Sequence, residues 1–184
     1  MKHGILIIIL FSTVFISCNN VKTNHEVVKL SADSLIANID KYCNTKVETE
    51  GVITHICGVD GKKMKLKTES GEIIKIVPND SIGSFDTSYY KKKIKVRGIV
   101  SESRIEISFI DKMEKEKALL CHIDHTPCKD TAWVNYQIKK GVADTISKQD
   151  IEKLKIKLKQ IKKKYISVVT IVAEKVEIIG KAEL

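Results

Sequence analysis

Between residues 46 and 111 apolar and polar side chains alternate in short runs cut by glycine-containing turns. KVETEGVITHIC opens the region, KKMKLKT follows the turn Val59-Asp60-Gly61, and EIIKIV follows Glu69-Ser70-Gly71. KKKIKVRGIV and RIEISFI complete it, parted by Ser101-Glu102-Ser103. In KKMKLKT, Met64 and Leu66 oppose Lys63, Lys65 and Lys67; in KKKIKVRGIV, Ile94, Val96 and Val100 oppose Lys93, Lys95 and Arg97. A period of two places alternate side chains on opposite faces of a strand. Five half-exposed strands are therefore expected, and strands at this spacing make a small sandwich or barrel. Gly51 interrupts the first run and marks a bulge or sharp bend. His55 and Cys57, two apart, are expected on one side of that strand.

Outside this region the period is helical. Ser31 is a good N-cap for a helix running to Cys43, with Leu35, Ile36, Ile39 and Tyr42 on one face. From Met113 onward, Lys117 to Ile123 is expected as a short helical turn and Asp130 to Lys140 as a second helix closed by Gly141. Ser147 is expected to cap a third helix, in which Ile151, Leu154, Leu158, Ile161 and Tyr165 oppose lysines such as Lys153, Lys155 and Lys162. A basic amphipathic helix either lies on an anionic membrane or packs one face on its own domain, and the second is expected here. Ile166 to Ile179 is an almost unbroken apolar run, read as a covered strand that joins the sheet. The fold class is α+β, mainly β: a five-stranded barrel with an N-terminal helix, a C-terminal helical cap and a final strand joining the sheet.

The five strands, the bend in the first and the long connection Pro78 to Tyr90 after the third together resemble an OB-fold. The segment THICGVDGKKMKL, with His-x-Cys ahead of a Gly-Lys-Lys hairpin, resembles uncharacterised bacterial lipoproteins with an OB-like domain. In those proteins a second histidine sits in the hairpin, where this chain has Val59 or Asp60. The resemblance covers Val47 to about Glu114, and it implies a fold without an activity.

The start of the chain agrees with export. Lys2 and His3 precede an uncharged apolar run, Gly4 to Ile16, too short for a membrane span and suited to a signal peptide. It ends in Val14-Phe15-Ile16-Ser17-Cys18, which resembles a bacterial lipobox. The resemblance implies a signal peptide at 1–17 and lipidation at Cys18, and Asn19 after the cysteine implies an outer-membrane anchor facing the periplasm. Residues 18–29 then read as a tether, followed by a domain at 30–184 with its barrel core at 46–111, helical cap at 113–165 and final strand at 166–179.

Composition narrows the function. A chain of 184 residues that is 43% hydrophobic and 30% charged suits one folded domain with an appendage. The net charge of +9 would suggest nucleic acid in a cytoplasmic protein, but in an exported one it favours anionic lipid or acidic polymers. With 5% aromatic residues and little beyond Phe109 on the strands, stacking on single-stranded nucleic acid is not expected.

Five cysteines occur, and lipidation of Cys18 leaves Cys43, Cys57, Cys121 and Cys128. Export makes disulfides the default, with Cys121–Cys128 the easiest pair and Cys43–Cys57 the remainder. The segment Cys121-His122-Ile123-Asp124-His125-Thr126-Pro127-Cys128 is also the densest group of metal-ligand types. Together His55, Cys57, Cys121, His122, His125 and Cys128 offer thiolate and imidazole donors for zinc, copper or haem iron. Neither a Cys-x-x-Cys pair nor a catalytic motif is present. The expected function is a lipid-anchored, non-enzymatic envelope module binding an unknown ligand at a His/Cys rim. One alternative is a protein-interaction module whose cysteines form structural disulfides. The other is a thiol redox enzyme built on Cys57 with His55 or His122.

Overall fold

The computed structural model describes residues 26–161 and 163–181; the signal peptide, Cys18, most of the tether and Lys162 lie outside the described residues. Strand β1 (Val28–Lys29) lies at the end of the expected tether, where it pairs parallel with β2 (Lys46–Ile56). Strands β3 (Met64–Lys67), β4 (Ile73–Pro78), β5 (Lys92–Glu106) and β6 (Tyr165–Lys181) complete the sheet. Its order is β1-β2-β3-β4-β6-β5, and β5 pairs back onto β2, closing a five-stranded barrel with β1 as an extra strand. Within the barrel β4 and β6 run parallel and every other neighbouring pair is antiparallel. The expected α+β, mainly β class with an OB-like barrel is the observed one.

The fifth strand is not where the alternation placed it. Ser101-Glu102-Ser103 is not a turn: β5 continues through it, pairing Ser101 with Thr170 and Ser103 with Val168. Helix α3 (Ile107–Lys115) then begins inside the run read as strand. Ile110 and Met113 face the interior while Ile107 is exposed, a helical rather than an alternating pattern. The barrel's fifth member is β6, so the core does not end at residue 111.

Two close approaches let the strands wrap. A Cβ on Gly51 would sit 2.4 Å from Leu66 Cδ2, where β3 crosses β2. A Cβ on Gly98 would sit 2.1 Å from the Val172 carbonyl oxygen, beside a register shift between β5 and β6. Only glycine fits such crossings.

Two clusters form the interior. One fills the barrel with residues such as Ile53, Met64, Leu66, Ile74, Ile94 and Ile171, and Leu35 and Ile39 belong to it. Those two come from α1 (Ala32–Ala37) and α2 (Ile39–Tyr42), the expected N-terminal helix broken at Asn38. Ser31 caps α1 as expected, accepting from the Ser34 amide at 3.1 Å. The second cluster joins the far ends of the long strands, Ile105, Ile166 and Val168, to Ile110, Ile151 and Leu154 on the helices.

Helix α4 (Thr131–Lys139) is capped by Asp130 and followed by Gly141 at φ 72°, close to expectation. Helix α5 (Ala143–Gln160) starts earlier than expected, so Ser147 is a buried helix residue rather than its cap, and the helix ends short of Tyr165, which opens β6. Ile151 and Leu154 pack the apolar face of α5 on the domain. Lys117 to Ile123 forms no helix; Leu120 instead bridges Pro127 in an antiparallel pair. Among the described residues no helix is long and apolar enough to cross a membrane.

Candidate functional site

The site is built where the helical insertion between β5 and β6 touches the outer surface of β2, β3 and β4. On β3 the alternation that buries Met64 and Leu66 sends Lys65 outward. On β4 the same rule buries Ile74 and Ile76 and sends out Lys75, the cross-strand partner of Lys65. His55 reaches this surface through a bulge. Ile53 pairs with Leu66 inside the barrel, so an unbroken strand would turn His55 inward as well. Thr54 is the extra residue: the register shifts, and His55 instead pairs with the outward Lys65. Cys57 follows, its amide bonding the Lys63 carbonyl at 2.8 Å.

The loop Cys121–Cys128 lies on this surface. It is a small hairpin in which the amides of Cys121, His125 and Cys128 bond the carbonyls of Thr126, Cys121 and Leu119 at 2.7, 2.7 and 2.8 Å. His125 sits at φ 56°, which turns the chain back on itself. Asp124 accepts from the Thr126 hydroxyl at 2.8 Å and from its amide at 3.3 Å, which stiffens the turn. Its other oxygen meets Lys63 Nζ at 2.9 Å and Lys75 Nζ at 3.2 Å. Asp124 is only 5% exposed, so one carboxylate clamps the insertion to the entry of β3 and to β4 inside a largely dry contact. The same docking sets the ring of His122 edge-on against His55, centroids 4.1 Å apart.

The charges follow from this packing. Burial alone would raise Asp124, but hydrogen bonds from Lys63 and Thr126 and the charges of Lys75 and Lys63 outweigh it and hold the carboxyl well below the usual range. Burial would lower Lys63, yet the bond to Asp124 leaves it raised. His55 is lowered by burial, by His122 and by Lys65. His122 is lowered by burial and Lys65, opposed by Asp150 and Asp124. His125 is lowered by burial, Lys157 and Lys65 against Asp124 and Asp150. All three imidazoles are therefore neutral at pH 7. Burial also pushes the Cys121 thiol up, so it stays protonated there.

The residues picked out in the sequence separate into those brought together and those kept apart. His55 and His122 touch, and Cys57 and Cys121 both lie near Lys63. Among the described residues, however, no three His, Cys, Asp or Glu side chains converge to hold a metal ion. Cys43, Cys57, Cys121 and Cys128 are all free thiols. Cys43 and Cys57 flank opposite ends of β2, a strand of 11 residues, on the order of 30 Å apart along its path, far beyond disulfide reach. Cys121 and Cys128 lie diagonally across the small hairpin, with Thr126 and Leu119 as their facing partners. Diagonal neighbours are about 7–8 Å apart, against roughly 6 Å for a bridge.

Three residues that matter here were not singled out as a site: Lys63, Lys65 and Lys75. The available signal was that neither KKMKLKT nor EIIKIV carries an acid among its outward lysines beyond the first residue of EIIKIV. Three ammonium groups beside a single clamped carboxylate leave this surface with excess positive charge, which opposes the approach of a bare cation.

A separate groove of about 450 Å³ lies along β2, between the start of α1 and the end of β3. Its lysines are largely matched: Lys29 to Glu48, and Lys93 and Lys95 to Glu50. The class defined by the fold is an OB-like barrel with a large helical insertion between its last two strands. No known family model matches the chain, and no curated protein matches it at a significant level.

Proposed function

We propose that the chain is a non-enzymatic binding module of the cell envelope, anchored by lipid at Cys18, with its ligand meeting the barrel where His122 touches His55. The observation that supports this reading is the docked loop. Asp124 fixes the Cys121–Cys128 hairpin on the barrel, so neutral imidazoles from two distant segments are presented together in one preorganised place. In OB-like barrels the second and third strands, with the loops after the first and fourth, form the usual ligand surface; here these are β3, β4, the Cys57–Lys63 turn and the helical insertion. The free thiols weigh against a module held by disulfides. The lipobox-like segment ending at Cys18 and the charge of +9 support an envelope address beside anionic lipid.

Two measurements on the full chain test the reading. Fatty-acid labelling of the expressed protein should depend on Cys18 and vanish in Cys18→Ala. Imidazole resonances of His55 and His122 should move saturably with at least one of zinc, cuprous ion, haem or inorganic phosphate. Unlabelled wild-type protein would remove the anchor, and imidazoles silent to every probe would remove the ligand site.

A further inference from the structure

We infer that Lys65, His55 and His122 form a binding site for a small soluble oxyanion, the phosphate or carboxylate group of an otherwise unassigned ligand. The inference rests on the reading of this surface as the ligand site, and it names the ligand's chemistry. His55, Lys65 and Lys75 stand in one row across β2, β3 and β4, each the cross-strand partner of the next. The loop adds His122 to the end of that row.

The surface already holds one oxyanion, its own. Asp124 receives two ammonium groups and a hydroxyl, the donor set that a carboxylate or phosphate needs. Lys65 stands between these groups and the histidines, and it has no ion-pair partner among the described residues. The charges on the facing helix do not fill that gap. Asp150 is matched to Lys153 at 3.1 Å, and Lys157 to Glu72 at 3.7 Å. The surroundings of the two rings therefore carry excess positive charge while the rings themselves are neutral. Each imidazole keeps an N–H to donate, and an arriving oxyanion would meet an ammonium group and two ring donors in a partly dry setting. A metal cation would meet the same lysines as repulsion.

Titration of the full chain in detergent with inorganic phosphate, read through the His55 and His122 ring resonances at pH 7, tests this. The expected result is a saturable shift that weakens as chloride rises, with Lys65→Gln binding at least tenfold more weakly at unchanged melting temperature. His122→Asn should weaken binding as well, and it guards against a folding defect in the lysine variant. A response that never saturates, or one that Lys65→Gln leaves intact, overturns the oxyanion site. A saturable response to zinc with silence toward phosphate overturns it too, while leaving the ligand surface in place. Shifts seen with phosphatidylglycerol vesicles but not with free phosphate would overturn the small-ligand assignment in favour of a lipid head group. Silence toward every probe would remove both readings.

Discussion

Two outer faces of one barrel carry outward lysines and neutralise them differently. On the face made by β2, β5 and β6 the carboxylates come from the strands themselves. Glu50 lies across from Lys95 and meets both Lys95 and Lys93, Glu48 lies across from Arg97, and Glu177 meets Lys175. On the face made by β3 and β4, Lys63 and Lys75 share a carboxylate imported from a loop 49 to 61 residues away in sequence, and Lys65 has none among the described residues. The first face is complete as a sheet surface, and apart from the half-buried Glu48–Arg97 pair it is exposed, screened and modest in energy. The second is complete only when the insertion docks. Such a conditional, partly dry contact, with excess positive charge left over, is the place on the molecule where a ligand has most to gain.

The largest break in this contrast is Asp124→Ala. It leaves two lysines facing each other in a largely buried contact, and about 3 kcal/mol should be lost. In a chain of this size that lowers the melting temperature by roughly 6–12 °C, readable by calorimetry. Acid should act next. The folded pKa values of His55, His122 and His125 lie below the ordinary 6.5, so above that pH folded and unfolded chains bind equal protons. Below it the unfolded chain takes up protons first, and stability falls as pH drops from 6.5 through the lowered folded values. Urea midpoints at pH 7.5 and 5.5 should differ in the wild type, and the difference should shrink in a His55→Asn/His122→Asn variant. Asp124 adds a further loss only at more acidic pH: its contribution is full above 3.8 and is lost as pH falls from there through the lowered folded value.

On the laddered face the effects should be small. Glu50→Gln removes partners of two exposed lysines and should cost about 0.5 kcal/mol, with most of that effect lost in 1 M salt. Smallest of all is Lys65→Gln, expected within about 0.5 kcal/mol of wild type, because it breaks no ion pair and relieves like charge. A large loss in either variant, measured by denaturant unfolding, would erase the contrast between the faces.

The sequence made the first face readable and hid the second. Alternation in KKMKLKT and KKKIKVRGIV gives inward and outward residues directly, and cross-strand pairs follow once neighbours are known. The strand of RIEISFI misled because Ile105, Ile107 and Phe109 alternate while Phe109, Ile110 and Met113 also fit one helical face. The partner that decides between them, β6, lies 60 residues downstream of Ile105 at Tyr165. The histidines and cysteines of the loop were visible as chemistry, but their geometry was not. His55 faces out only because Thr54 is a bulge residue, and Asp124 finds Lys63 and Lys75 only through the path of a whole helical insertion. Local pattern records which side chains face outward; it does not record what is laid over them.

The docked loop is the claim on which the rest stands, and amide hydrogen exchange reads it residue by residue. In the wild type the amides of Cys121, His125 and Cys128 should be protected, and Asp124→Ala should release them selectively while the β5–β6 ladder keeps its protection. Amides in that loop exchanging at unprotected rates in the wild type, or a loss in the variant spread evenly over loop and ladder, would contradict it.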